Sequence, residues 1–554
     1  MVARAVGYTA VSKQAVLRDG QVVTLDFGLA QATFRLEETV TTGEARRADR
    51  SRDMAIAPAP SVMYRKTAGA NAAYQPNDAE EYKYFADNGW QSSTRQPLST
   101  FSIDVDAGSY SNVRRFLREG HLPPKDAVRV EEMINYFRYD YPNPTGRQPF
   151  SINTELSDAP WHRGHLLAMV GLQGQRLALG ELPPTNLVFL IDVSGSMQSP
   201  DKLPLVKTAF RLLVNQLRDQ DRVAIVVYAG AAGLVLPSTP GSNKERILEA
   251  IDGLEAGGST AGGAGIQLAY KVARDNFLAQ GNNRVILASD GDFNVGVSSE
   301  GDLVRMIEDR RHDGVFLTVL GFGTGNLKDA KMEQLANKGN GHYAYIDDVL
   351  EAKKVFVQEL GATLYTIAKD VKIQVEFNPA RVKSYRLVGY ENRLLADRDF
   401  NDDKKDAGEM GAGHSVTALY EIIPVDGDDA EGSVDPLKYQ SSRRAAANTE
   451  SEDWFTVKFR YKEPAGSTSQ LLEQVVRQQT RNPSVDYRFV AAVAEFGMLL
   501  RDSEYKGQAS LASVLDRARG ARGRDEEGYR AEFIRLVETA AALSGRELTG
   551  RENR

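Results

Sequence analysis

The stretch FLIDVSGSMQSPDK, Phe189 to Lys202, ends an apolar run in an aspartate and follows it with two serines one residue apart. Asp192, Ser194 and Ser196 offer a carboxylate and two hydroxyls, hard oxygen donors that suit Mg²⁺ or Mn²⁺ and not zinc. Two other stretches add matching groups. EAGGSTAGGAG puts Thr260 among glycines just before a helical pattern, and VILASDGDFNVG ends an apolar run at Asp290. The candidate metal set is therefore Asp192, Ser194, Ser196, Thr260 and Asp290. Gly195 is expected to let the backbone turn so that both serines face one side. Alone, DVSGS would read as a serine-rich turn or helix cap; the three stretches together make the metal reading. No histidine or lysine of these loops stands out as a general base, so a hydrolase is disfavoured and the chain is expected not to be an enzyme.

Such groups meet only if the chain brings three loops to one edge. Residues 184–366 alternate apolar strand runs (TNLVFLID, RVAIVVYA, NRVILASD, GVFLTVLGFG) with helical patterns. Continuous apolar strands separated by helices predict an α/β fold, a doubly wound, Rossmann-like, mostly parallel sheet. In that architecture ligands bind beyond the carboxyl ends of the strands, where Asp192 and Asp290 fall. Before it, residues 81–183 hold two helical patterns and then strands; after it, 367–464 read as β-rich and 465–554 as helical. The strands before the α/β unit and those after Asp370 are expected to form one sandwich, with the α/β unit inserted. Residues 1–42 resemble the end of a carboxypeptidase-regulatory-like β-sandwich, and 43–80 have the composition of a disordered linker.

At 554 residues the chain should hold two to four domains. A net charge of −7 without a long basic run makes nucleic acid an unsuitable partner. The absence of cysteine removes disulfides, thiolate metal sites and cysteine nucleophiles. No apolar run reaches transmembrane length. If a signal sequence lies upstream of this chain the cell envelope or periplasm is favoured, and otherwise the cytoplasm.

The D-x-S-x-S run, the glycine-flanked threonine and the strand-ending Asp-Gly, in that order, resemble the metal-ion-dependent adhesion site of the von Willebrand factor type A (VWA) family. Ser289 stands where the family often has threonine. PLSTFSIDVDAGSYSNVRRFLREGHLPPKDAVRVEEMINYFRYDYP and GAGHSVTALYEIIP resemble blocks of its bacterial YfbK-like branch. The resemblance implies that Ser194, Ser196 and Thr260 approach the ion through hydroxyls, while Asp192 and Asp290 bind it or orient waters. It implies Mg²⁺, with Mn²⁺ or Ca²⁺ as alternatives. Neutral hydroxyls leave such an ion under-neutralised, so a partner protein's Asp or Glu could replace a bound water. The expected function is Mg²⁺-dependent protein binding, as adhesion module or scaffold. The alternative is an assembly or chaperone-like adaptor working with an AAA+ ATPase. The segment before Gly361 is where such domains are expected to move.

Three further motifs are weaker. SIDVDAGS imitates a phosphatase nucleophile loop, but Ala107 breaks the spacing, and Asp106 or Ser109 is expected to cap the helix starting near Tyr110. His162 and His165 lack a third ligand and read as surface residues. GFGTGN, Gly321 to Asn326, reads as a tight turn near the metal rim and not as a phosphate loop.

Overall fold

The computed structural model describes residues 80–103, 105–146, 148–258, 262–291, 300–325, 327–427, 451–464 and 466–545, with a two-residue pairing of Val2–Ala3 (β1) and Val11–Ser12 (β2). The expected sandwich remnant otherwise lies outside the described residues, as do Thr260 and the expected linker up to residue 79. The main body opens with strands Gln91–Ser92 (β3) and Leu98–Ser102 (β4), helices Gly108–Arg118 (α1) and Val130–Asn135 (α2), and strands Phe150–Asp158 (β5) and Leu166–Gly174 (β6). The alternating region follows: Thr185–Asp192 (β7), Leu203–Gln216 (α3), Arg222–Tyr228 (β8), Ala232–Pro240 (β9), Lys244–Asp252 (α4), Gly262–Asp275 (α5), Asn282–Ser289 (β10), Glu300–His312 (α6), Val315–Phe322 (β11), Asp329–Lys338 (α7), Tyr343–Ile346 (β12), Val349–Lys353 (α8) and Leu360–Leu364 (α9). Strands Thr366–Phe377 (β13), Val382–Val388 (β14), Gly408–Gly411 (β15), Ser415–Pro424 (β16), Phe455–Lys462 (β17) and Gln470–Val476 (β18) come next. Helices Val485–Arg501 (α10), Leu511–Gly520 (α11) and Tyr529–Leu543 (α12) close the described chain.

The alternating region forms a six-stranded sheet in the order β12-β11-β10-β7-β8-β9, parallel except for β9 at one edge. Successive strand residues point to opposite faces, and both faces here are covered. Along β7, Leu187, Phe189 and Ile191 enter one core with α3, while Val188 and Leu190 enter another with α5. That two-sided burial is why the strand reads as an unbroken apolar run.

The flanking strands form two antiparallel sheets. One has the order β15-β13-β17-β18, with β4 also on β13; the other has the order β3-β14-β16-β6-β5. Strand β6, before the α/β unit, pairs with β16, after it, from Gln173–Ser415 to Leu166–Ile422. Strand β4 likewise pairs with β13. The two sheets share one core of residues such as Phe101, Val170, Ile373, Tyr420 and Phe459. The α/β unit is thus inserted between β6 and β13 of a sandwich. Helices α1, α2 and α10 to α12 cover the far side of the second sheet, packing on Leu167 and Met169 of β6 and Leu419 of β16. Strand β6 is therefore buried on both faces, like β7.

One expectation needs correcting. The region 465–554 is not helical throughout, because Gln470–Val476 is a strand paired with β17. It lies at a sheet edge with most side chains exposed or half-exposed, so it carries little apolar signal.

Candidate metal centre

The parallel register sets the site. Asp192 ends β7 opposite Tyr228, the last residue of β8, and Ile191 lies opposite Ala288, which puts Ser289, the last residue of β10, beside Asp192 and Asp290 just beyond it. Asp192 is fully buried. Its Oδ1 accepts the Ser194 N–H at 2.9 Å and its Oδ2 accepts the Ser289 hydroxyl at 3.3 Å. The Tyr228 hydroxyl also lies against Asp192 and Ser289. Burial pushes the Asp192 carboxyl up to about 6, against the pull of the Ser194 hydrogen bonds, and the nearby Asp290 charge pushes the same way as burial.

Ser194 and Ser196 face each other, with their hydroxyl oxygens 3.1 Å apart. Ser194 is buried and Ser196 exposed, so the site opens to solvent above Asp192. The loop is tied to its neighbour by Gly195 N–H to Gly258 O at 2.9 Å and Gly257 N–H to Val193 O at 2.7 Å. Gly195 opens a 3₁₀ turn through Gln198 that brings both serines to one side, as the sequence led us to expect, and it does so without entering the left-handed region. The left-handed residue is Gly258, at φ +81°. Thr260 falls between this bonded loop and the start of α5, outside the described residues.

Asp290 is also buried, and its Oδ2 accepts a hydrogen bond from Lys202 Nζ at 2.9 Å. Sequence reasoning, which looked at these loops for a general base and singled out no lysine, gave Lys202 no part in the site. Lys202 immediately precedes α3, where the helix dipole disfavours a cation, and that placement was the available signal that it has an anionic partner. Its stem runs along Gly323 of GFGTGN, where a Cβ would fall 2.3 Å from Lys202 Cγ. Gly323 also has φ +73°. Asp201 fixes the same turn, accepting the Thr324 N–H at 3.1 Å. GFGTGN is therefore a tight turn that houses the lysine.

The donor set suits a Mg²⁺-type ion. Two neighbouring oxygens on an octahedral ion with bonds of 2.0–2.1 Å stand about 2.9 Å apart. The Ser194–Ser196 hydroxyl spacing of 3.1 Å matches that edge. Asp192, Ser194, Ser196 and Asp290 are all oxygen donors, and the described residues fit the ion.

The weaker motifs resolve differently. Neither Asp106 nor Ser109 caps α1. Asp106 accepts the Tyr343 N–H at 2.9 Å, while Glu132 of α2 accepts the Ser109 N–H at 2.8 Å. His165 is not a surface residue: it is buried, with Nδ1 2.6 Å from Glu421 Oε1, and it stacks on the more exposed His162.

A sheet of this topology, with a D-x-S-x-S loop at its carboxyl edge, defines a VWA-domain protein. The family model described as "von Willebrand factor type A domain" matches residues 186–358. A second, "von Willebrand factor", matches 76–169, and "Uncharacterized protein YfbK, C-terminal" matches 362–543. The chain is 45% identical to "Uncharacterized protein YfbK" of Escherichia coli (strain K12) over 493 residues, 88% of this chain and 85% of that one. It belongs to the YfbK family of VWA-domain proteins. It is also 24% identical to inter-alpha-trypsin inhibitor heavy chain H3 of Bos taurus over 260 residues, 43% of this chain and 28% of that one. Among solved structures, "von Willebrand factor type A from Catenulispora acidiphila" aligns with a TM-score of 0.41 at 16% identity, covering 73% of this chain and 91% of that one. No described helix is long and apolar enough to cross a membrane.

Proposed function

We propose that this protein binds a partner protein in a Mg²⁺-dependent way, capturing an acidic side chain at the Asp192–Ser194–Ser196 centre. The carrying observation is the pair of serine hydroxyls 3.1 Å apart, one buried and one exposed, at the open edge of the sheet. A divalent ion there would supply an electrophilic contact for a carboxylate. Mn²⁺ and Ca²⁺ are alternative occupants. The chain's own part is charge control. Lys202 already neutralises Asp290, so among the described residues Asp192 is the main anion left to face the ion. Two neutral hydroxyls add no charge, and an ion held this way retains positive charge for a partner's Asp or Glu. Asp192 in turn orients the loop through the Ser194 N–H.

The test has two parts. Mn²⁺ uptake, followed by electron paramagnetic resonance, should be seen in the wild type and lost in Asp192→Ala and in the Ser194→Ala, Ser196→Ala double variant. Pull-downs from the envelope and soluble fractions of the source cell should then retain a partner only with wild type and Mg²⁺, and release it in EDTA. Equal retention in all samples would move partner binding to the flanking layers. An AAA+ ATPase as the metal-dependent partner would favour the adaptor form of the proposal.

A further inference from the structure

Far from this centre in sequence, Asp370, Asp406 and Glu409 bring one carboxylate oxygen each to within 4.8 Å of one another. Asp370 lies in β13 where its pairing register shifts, Asp406 in the turn before β15, and Glu409 in β15. Two of the three carboxylates have cationic partners. Lys462 donates to Asp370 at 2.6 Å, and Arg311 donates to Asp406 at 2.8 Å.

Glu409 differs. It is only 7% exposed, and among the described residues neither of its oxygens has a hydrogen-bond partner. A carboxylate buried without partners is among the costliest arrangements a fold can hold. The buried Arg284, whose Nε and Nη2 also lack hydrogen-bond partners among the described residues, acts on Glu409 through its charge but donates no hydrogen bond to it. Two further resolutions exist: a proton on Glu409, or a cation among the three oxygens. Burial and the Asp370 and Asp406 charges hold the Glu409 carboxyl well above its usual range, so the first is a real competitor.

Geometry supports the second. Opposite oxygens on a Ca²⁺ ion stand about 5 Å apart at bonds of 2.3–2.6 Å, a span that contains the trio. Ca²⁺ takes six to eight oxygens in irregular arrangements, and no histidine nitrogen of the described residues joins this cluster. A cavity of about 180 Å³ beside it is lined by Asp406 and Glu409, and leaves room for waters to complete a shell. We infer that Asp370, Asp406 and Glu409 form a second cation site, of Ca²⁺ type, which pins the turn before β15 onto β13.

The inference is independent of the proposed function, and its test is built to stay so. The full chain carrying Ser194→Ala and Ser196→Ala is titrated with Ca²⁺ alone by calorimetry, with Mg²⁺ in a parallel arm. One Ca²⁺ per chain should still bind, at least tenfold more tightly than Mg²⁺. Adding Glu409→Gln should weaken Ca²⁺ binding at least tenfold, and adding the less buried Asp406→Asn should weaken it as well. Glu409→Gln removes a buried charge, so in EDTA its melting temperature should equal or exceed that of its parent, while Ca²⁺ should raise only the parent's. No Ca²⁺ uptake in the serine double variant, or uptake unchanged by either added substitution, would overturn the site and leave Glu409 as a buried neutral acid.

Discussion

Lys202 and Asp290 form a buried ion pair at the edge of the candidate metal centre. Removing one member of such a pair leaves the other charged and unpaired, which costs about 3–5 kcal/mol. Lys202→Met should therefore lower the melting temperature in EDTA. It should also remove the lysine's competition with a cation for Asp290, so Mg²⁺ should bind at least tenfold more tightly and recover part of the lost stability. Melting curves with and without Mg²⁺, with calorimetric titration, check both halves; a variant that loses stability and gains no affinity would show that Asp290 does not face the ion. Asp192, Ser194 and Ser196 were legible because five consecutive residues carry them. Lys202 was not, because its partner lies 88 residues away and only the fold joins them.

At the scale of elements, strands buried on both faces were readable, because β7 and β6 need apolar side chains at every position. Strand β18 was not, since an exposed edge strand places few demands on composition. The histidines were equally silent. His414, just before β16, is half-buried, with its ring edge-on to the buried His342 at 5.1 Å. Burial, then the neighbouring Lys354 and Arg138 charges, push the His414 imidazole down to about 3 from an ordinary value of 6.5. Between those values the unfolded chain takes up a proton that the native chain refuses, so stability falls as pH falls below about 6.5. Each pH unit in that window is worth about 1.4 kcal/mol, giving about 2 kcal/mol by pH 5. His414→Phe keeps an aromatic ring and removes this dependence. Its loss of melting temperature between pH 7 and pH 5 should be smaller than that of wild type, and identical losses would place the acid sensitivity elsewhere.

For the whole molecule, the question is how the inserted α/β unit is held by the layers around it. Arg114 of α1 is almost fully buried and reaches three parts of the chain at once. It donates to Asp347 at 2.8 Å and to Glu351 at 2.7 Å in the α/β unit, and to Glu532 of α12 at 3.2 Å. Tyr136 donates to the same Glu351 oxygen at 2.8 Å. These contacts clamp the start of the segment 349–364, which is not one helix: α8 passes through a π-helical turn, Lys354–Gln358, before α9. Such turns replace regular helical hydrogen bonds with fewer, wider ones. The segment is thus locally weak but externally held, by Arg114 at one end and by Tyr529 of α12, which donates to Gln358 at 2.6 Å. Any movement of this segment in response to the metal centre must therefore strain α1 and α12 and be felt in the flanking layers. Arg114→Met leaves Asp347 and Glu351 buried without their main cation, a loss of about 3–5 kcal/mol. Amide hydrogen exchange across 349–364 should speed up in this variant, while exchange in β7 and β10, which do not touch Arg114, should stay near wild type. Exchange that rose equally throughout the α/β sheet would instead mean that the whole unit depends on Arg114 for folding.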